Sequence, residues 1–133
     1  SVSRGLGDVY KRQTEESSAH FTFKDRCLRL NEGDTQLTLK QLSPVRLVKN
    51  EFFKQVEEAE TRGASVEELR ELLGKGRAKK GIFEGDIYEG EVEIGQIASS
   101  VHSLKTAEEV IKELINDFNA ALKRTKEIPS FIL

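Results

Sequence analysis

The chain has one cysteine, two histidines, two prolines and no long apolar run. Cys27 has no partner for an internal disulfide, and a lone thiol is typical of proteins in a reducing cytosol. No apolar stretch approaches the roughly 18 residues that a membrane span needs. The first residues also lack the apolar centre of a secretory signal. The sequence therefore predicts a cytoplasmic protein that makes no membrane contact.

The charges of the two signs nearly cancel, with 21 basic and 23 acidic residues and a net charge of −2. A balanced surface generates no global field toward nucleic acid, so no nucleic-acid partner is predicted. The length of 133 residues is that of one domain with a single hydrophobic core. These properties leave a small-molecule enzyme and a non-catalytic binding module as the open classes.

Residues 81–98, GIFEGDIYEGEVEIGQIA, contain five carboxylates, and a metal site is the first possibility to weigh. A calcium-binding EF-hand loop counted from Glu84 would need glycine at its sixth position, which is Glu89. His20 and His102 are too far apart in sequence to form a ligand-spaced pair. No second acid is placed at a defined separation for glycosidase-type catalysis. We therefore predict no metal site, and we interpret the acids as solvated side chains of turns and of a half-buried strand.

The segment GKGRAKKG, residues 74–81, precedes these acids and combines glycines with four cations. Backbone amides and cations of this kind can bind phosphate, although the P-loop spacing is absent. The alternative is a solvated junction whose cations balance the acids that follow. Six of the ten glycines fall within residues 74–95, the glycine-rich loop. Tight turns, or a backbone pressed against a ligand, are the usual reasons for such a composition.

Periodicity and end signals predict a mixture of helices with two short strands. Ser17 and Ser18 are N-cap candidates for a helix within residues 16–30. Leu37 and Leu39 alternate with polar residues and predict a strand with the leucines on one face. A second extended piece begins at Pro44.

Three later helices have clearer end signals. Asn50 is an N-cap candidate for a helix that ends at Gly63. Ser65 with Glu68, and Thr106 with Glu109, have capping-box spacing before helices ending at Gly74 and near residue 124 respectively.

Residues 1–13, SVSRGLGDVYKRQ, lack helical and strand periodicity. They are similar to translated adaptor sequence, so we interpret them as non-native, with an ordinary flexible N-terminus as the alternative. In either case we give them no role in the predicted fold.

Four segments read together resemble the nitronate monooxygenase family, also called 2-nitropropane dioxygenase-like proteins. They are EESSAHFTFK (15–24), EGDTQLTLKQLSPVRLVKN (32–50), ELLGKGRAKKGIFEGD (71–86) and EGEVEIGQI (89–97). The resemblance covers roughly residues 14–124, with the segments in the family's order and spacing. It extends to the related flavin-dependent enoyl-ACP reductases.

The resemblance implies an α/β fold, the C-terminal part of a (β/α)8 TIM barrel with its added substrate domain. A barrel of this kind takes about 250 residues. The expected parts are the end of the barrel at 14–31, a substrate and lid segment at 32–98, and a closing helix and tail at 99–133. Most of the fragment is expected to be helical, with short strands.

The resemblance also implies an FMN-dependent oxidoreductase that oxidises alkyl nitronates with oxygen. The alternatives are enoyl-ACP reduction with NAD(P)H and an anion-binding module through residues 74–81. Gly95 and Gln96 match a family motif that opens a helix near the flavin, so they are the cofactor-binding candidates, with Glu93 and Ile94 on the substrate side. The family's catalytic histidine and phosphate loops match no residue here, so no catalytic residue is assigned. The chain alone is expected to bind no FMN and to have no activity.

Overall fold

The computed structural model describes residues 6–131, without the side chains of residues 6–8. Within that part of the chain, six α-helices, one 3₁₀ helix and two strands follow one another. In chain order they are α1 (Leu6–Arg12), α2 (Phe21–Leu28), β1 (Thr35–Thr38), β2 (Val45–Val48), α3 (Glu51–Thr61), α4 (Val66–Leu73), α5 (Arg77–Ile82), the 3₁₀ helix (Gln96–Ser100) and α6 (Ala107–Lys126). The predicted mixed, largely helical architecture is confirmed.

Strands β1 and β2 form an antiparallel hairpin in which Thr35 pairs with Val48 and Thr38 with Val45. Strand β2 lies between two hydrophobic clusters because successive side chains of a strand point to opposite faces. Leu47 packs into one cluster, with Phe52, Phe53, Val56 and Leu69 of α3 and α4. Val48 packs into the other, with Phe23, Cys27, Val92 and Ile94.

The predicted caps of α3, α4 and α6 are confirmed. The Asn50 side chain accepts from the Phe53 N–H, and both capping boxes are formed. Gly63 follows α3 with φ +78°, the left-handed conformation that glycine adopts at low cost.

The predicted start of the helix within residues 16–30 is wrong. Helix α2 begins at Phe21 rather than near residue 16, and its N-cap is His20, whose Nδ1 accepts from the Thr22 N–H at 3.2 Å. The Ser17 hydroxyl instead accepts from the Ala19 N–H in a local turn. Serine bonds readily to nearby backbone outside helices, so its presence alone did not locate the helix start.

The predicted facing of β1 is also wrong. Leu37 is 40% exposed, whereas Thr38 is 2% exposed and its hydroxyl donates to Glu60 Oε2 at 2.5 Å. The chain turns at Leu39, which has a φ of +53° and is buried. Because this turn breaks the alternation after Thr38, Leu37 and Leu39 lie on different sides.

Residues 6–12 form a helix, so the interpretation that residues 1–13 have no role in the fold is wrong for that part. Val9 is 1% exposed and belongs to the same cluster as Phe23 and Ile94. Residues 1–5 lie outside the described part of the chain. The interpretation of the whole segment as adaptor-derived stays a prediction.

Candidate functional site

Residues 92–94 lie beside β2. This pairing fixes the positions of the four candidate site residues, Glu93, Ile94, Gly95 and Gln96. The Val48 N–H donates to the Val92 carbonyl at 2.9 Å, and the Ile94 N–H donates to the Arg46 carbonyl at 3.3 Å. The segment therefore acts as a short third strand beside the hairpin. Immediately after it, Gly95 is the N-cap residue of the 3₁₀ helix that begins at Gln96, as expected of a helix-opening motif.

Gly95 packs closely against α1, and its backbone conformation is an ordinary one. Its φ is −67°, which any residue adopts, but an added Cβ would lie 3.0 Å from Val9 Cγ2. Arg12, which lies in α1 with Val9, donates from Nη1 to the Glu93 carbonyl at 2.9 Å. Helix α1 thus supports the candidate site directly, a contact that the sequence did not indicate.

Two clefts flank this segment, and both have Arg46 in their walls. The first cleft has a volume of about 510 Å³ and is lined by Glu93, Ile94 and Gly95 together with apolar side chains, among them Leu39, Leu42, Pro44 and Leu73. The second cleft has a volume of about 520 Å³ and contains Gln96 with Thr35, Ser99 and Ser100. The fold therefore brings Glu93, Ile94 and Gly95 to one cleft and Gln96 to the other.

The side chains of Ile94 and Gln96, predicted to lie on the substrate side and at the flavin, differ in accessibility. Ile94 is only 2% exposed and mainly fills the core, so it offers little surface to a ligand. Gln96 is exposed, and its backbone carbonyl accepts from the Ser99 hydroxyl at 3.1 Å. Its amide is placed to donate and to accept at the second cleft.

Arg46 was not predicted as a site residue. Its Nη1 donates to the Thr35 carbonyl at 3.2 Å and to the Thr35 hydroxyl at 3.3 Å, which holds the guanidinium across the hairpin. A fixed guanidinium can bind an anionic group through its remaining N–H donors. The only sequence signal was its place in β2, between residues that alternate into the core.

The segment 74–95 was predicted as a loop, but it contains helix α5. Its glycines allow backbone segments to touch. A Cβ on Gly81 would lie 2.5 Å from the Glu91 carbonyl oxygen, and one on Gly90 would overlap Gly81 Cα and the Asp86 carbonyl oxygen. A Cβ on Gly85 would overlap the His20 ring. The backbone of this segment is therefore pressed against other parts of the same chain, a reason that differs from the tight turns or the ligand contact suggested by its composition.

Arg77 fixes this loop to the helices before it. Its guanidinium donates to the carbonyls of Leu72, Leu73 and Glu89 at 3.1, 3.2 and 2.8 Å, and it stacks over the Phe52 ring at 4.5 Å. Arginine alone combines a planar fork of donors with a stacking face. Arg77 is thus a structural residue of the segment GKGRAKKG.

Two other cations of this segment pair with acids of the loop. Lys79 Nζ lies 3.6 Å from Glu84, and Lys80 Nζ lies 3.1 Å from Asp86. The pKa of Asp86 is lowered, first by the hydrogen bond that it accepts from the Glu89 N–H and also by Lys80. The lysines of GKGRAKKG therefore balance the acids that follow, as expected of a solvated junction rather than of a phosphate-binding segment.

Among the described residues, no group of three or more His, Cys, Asp or Glu side chains is placed to hold a metal ion. Between residues 6 and 131 no helix combines the length and apolarity that crossing a bilayer requires.

Cys27 is buried, and burial raises the pKa of its thiol to about 12 from an ordinary value of 9.0. We expect a thiol reagent at pH 8 to modify native Cys27 no faster than the protein unfolds, because the thiolate is the reactive form. An exposed thiol, Asn116→Cys in a Cys27→Ala background, should react at once. Rapid modification of native Cys27 would contradict its placement in the core.

The raised pKa also predicts how stability changes with pH. Between pH 9 and 12 the unfolded thiol ionises while the folded thiol stays neutral, so the Cys27 contribution to folding falls as pH rises.

The fold and the sequence together define the class of protein. The sequence matches the family model of nitronate monooxygenase over residues 13–117, so the chain belongs to this family of flavin-dependent oxidoreductases. No curated protein matches the chain significantly.

Among solved structures, the chain is similar to FabK from Thermotoga maritima. The TM-score is 0.77 with 22% identity, over 86% of this chain and 36% of FabK. The M276A mutant of the same protein gives a TM-score of 0.71 with 21% identity, over 86% of this chain and 34% of the mutant. The chain thus spans about a third of the length of these structures.

Proposed function

We propose that the chain is the C-terminal part of an FMN-dependent oxidoreductase that oxidises alkyl nitronates with oxygen. The family match over residues 13–117 carries this proposal. The similarity to FabK over 86% of this chain supports a common fold, and the 36% coverage of FabK is consistent with a part of a larger barrel. Residues 14–31 would then end the barrel, 32–98 would form the substrate and lid segment, and 99–133 would close the fold.

Within that enzyme, Gly95 and Gln96 would contact the flavin. The second cleft beside exposed Gln96 offers room for a ring edge, and the Gln96 amide can donate and accept there. FMN supplies the electron chemistry when bound. The chain's own residues would orient the ring edge and exclude water from one side.

Glu93 and Ile94 would lie toward the substrate, at the first cleft. The apolar wall formed by Leu39, Leu42 and Leu73 suits the alkyl part of a nitronate. Arg46, between the two clefts, would favour the anionic end of such a substrate. We place the enzyme in the cytoplasm, in keeping with its lone thiol.

The proposal is tested on the longer reading frame that contains this sequence, recovered from genomic DNA. We expect its product to purify yellow with one equivalent of FMN and to consume oxygen with an alkyl nitronate. Gln96→Ala should weaken FMN binding or lower kcat/KM about 10-fold or more, as loss of a positioning contact does. Gln36→Ala, the same change at an exposed position of β1, is the matched control.

Three results decide between the interpretations. A colourless full-length product would contradict the flavin proposal, and equal effects of Gln96→Ala and Gln36→Ala would remove Gln96 from the site. The present chain alone should bind no stoichiometric FMN. Flavin retained through gel filtration at one equivalent would contradict that expectation.

The second candidate is NAD(P)H-dependent enoyl-ACP reduction, and the fold shared with FabK favours keeping it. The same full-length protein separates the two activities. Enoyl reduction that depends on NAD(P)H, without nitronate-dependent oxygen uptake, would select the second candidate. The anion-binding alternative gains no support, because Arg77, Lys79 and Lys80 are engaged within the chain.

A further inference from the structure

Arg46 is a half-buried cation that has no acidic partner within the described part of the chain. Both of its hydrogen bonds come from Nη1, and both go to Thr35, at the carbonyl oxygen and at the hydroxyl. No carboxylate between residues 6 and 131 lies within ion-pair distance of it. The N–H donors on its Nε and Nη2 atoms are therefore left for a ligand.

Arg77 shows what a structural arginine is like in the same fold. It donates to three backbone carbonyls, stacks over the Phe52 ring and lies 3.6 Å from the Glu89 carboxylate. Arg46 has only the two bonds to Thr35, which fix the guanidinium without using most of its donors. The comparison indicates that Arg46, unlike Arg77, is free to bind an anion.

The second cleft surrounds Arg46 with further polar groups. The β1–β2 hairpin contributes Thr35 and Arg46, and the 3₁₀ helix contributes Gln96 and Ser100. A side-chain amide and hydroxyls supply donors beside the guanidinium. Charge-assisted hydrogen bonds from such a set are the usual means of holding the oxygens of an anion.

The charge of the cleft wall selects the class of anion. Among the described residues that line the second cleft, Arg46 is the only cation, and exposed Glu32 is the only acid. A doubly charged phosphate would bring two negative charges to a wall with no net charge, whereas a carboxylate or a nitronate brings one. The two oxygens of a planar monoanion also match the planar fork of donors on arginine.

We propose that Arg46 binds the two oxygens of a planar monoanion, a nitronate or a carboxylate, and that Thr35 is the positioning residue that holds the guanidinium for it. The identification of the anion as the nitronate rests on the function proposed above. Arg46 also lines the apolar first cleft, together with Leu39 and Leu42, so an apolar wall adjoins the alkyl group of such an anion. The site therefore favours a nitronate over its neutral nitroalkane, and alkyl carboxylates occupy it as substrate mimics.

The first test needs no flavin and uses the present chain. Backbone amide NMR shifts are followed during titration with isobutyrate and with isobutyramide, its neutral counterpart. We expect isobutyrate to saturate the site with a Kd of about 1–10 mM. Isobutyramide should bind at least about 10-fold more weakly, because it lacks the charge that Arg46 recognises.

Variants assign this binding to Arg46. Arg46→Gln should weaken isobutyrate binding about 10-fold or more and abolish the preference over isobutyramide. Arg124→Gln, the same loss of charge at an exposed position of α6, is the matched control and should leave the Kd unchanged. Protection of Cys27 from a thiol reagent shows that each variant remains folded.

The positioning role of Thr35 has its own variant. Thr35→Val removes the hydroxyl and keeps the backbone carbonyl, so the guanidinium retains one of its two bonds. We expect the Kd of isobutyrate to rise severalfold, with the preference over isobutyramide retained. Thr61→Val removes an exposed hydroxyl that donates to the Glu57 carbonyl in α3 and should have no effect. Equal Kd values for Thr35→Val and wild type would remove the positioning role.

The second test uses the full-length oxidoreductase. Arg46→Gln should raise KM for an alkyl nitronate about 10-fold with kcat nearly unchanged, as loss of ground-state binding does, and FMN should stay at one equivalent. A colourless full-length product would contradict the flavin proposal but not the anion site, which the titration of the present chain decides by itself.

Four results of that titration would each overturn the anion site. They are no saturation by isobutyrate at about 10-fold above the expected Kd, equal binding of isobutyramide, tighter binding of inorganic phosphate than of isobutyrate, and an Arg46→Gln variant that binds isobutyrate as wild type does.

Discussion

Gly90→Ala is expected to destabilise the protein by about 3 kcal/mol, the upper part of the usual range for overpacking. The new Cβ would overlap Gly81 Cα and the Asp86 carbonyl oxygen. Both are backbone atoms, so no side-chain rotation can relieve the clash. Because small domains are stable by only about 5–15 kcal/mol, the midpoint of urea denaturation should fall markedly.

Gly63→Ala is the control for this experiment. Gly63 has a φ of +78°, and nothing lies within 4 Å of an added Cβ. Its substitution carries only the left-handed backbone cost of about 1–2 kcal/mol. Equal losses for the two variants would show that the Gly81–Gly90 contact is not tight, and would reopen the question of what the loop's glycines serve.

Asn50→Ala is expected to destabilise the protein by about 3 kcal/mol, more than the loss of an ordinary helix cap. The Asn50 side chain accepts from the Phe53 N–H at 2.9 Å. It also donates to the carbonyls of Ile87 and Gly90, both at 2.9 Å. A cap contributes about 1 kcal/mol, and leaving the two loop carbonyls without their donor adds about 1–3 kcal/mol.

Two further variants separate the roles of Asn50. Ser65→Ala removes the α4 cap, whose side-chain bonds are to residues of its own helix start, and should cost about 1 kcal/mol. Asn50→Ser keeps a capping oxygen but is too short to hold the loop, so its free energy of unfolding should lie between those of wild type and Asn50→Ala. If Asn50→Ala lowers the free energy of unfolding no more than Ser65→Ala does, the hydrogen bonds from Asn50 to the loop contribute nothing to stability.

The helix ends were predictable where the signal is local. Ser65 with Glu68, and Thr106 with Glu109, satisfy each other's backbone within four residues, so no distant contact is needed to form them. Phe52, Phe53, Val56 and Ala59 recur at helical spacing and form the buried face of α3. The mixed fold class followed from such short-range patterns.

The apolar residues of α6 recur at helical spacing, but that spacing does not tell which of them are buried. Leu114 and Phe118 are exposed at 47% and 65%, whereas Val110 is 8% exposed. It belongs to the first turn of α6, which residues 14–16 hold: the Glu15 N–H donates to the Lys105 carbonyl, and Glu16 accepts from the Ala107 N–H.

By itself, the sequence determined the caps of α3, α4 and α6, most of the helices and the family. The segment 93–96 stays a predicted site. The tertiary structure decided which surfaces meet: α1 against Gly95, Arg46 between two clefts, and Gly81 against Gly90. The physical reason is the separation along the sequence between the residues that interact. Caps and helix faces depend on neighbours a few residues away, whereas a glycine has no side chain whose pattern could reveal the distant backbone that it must touch.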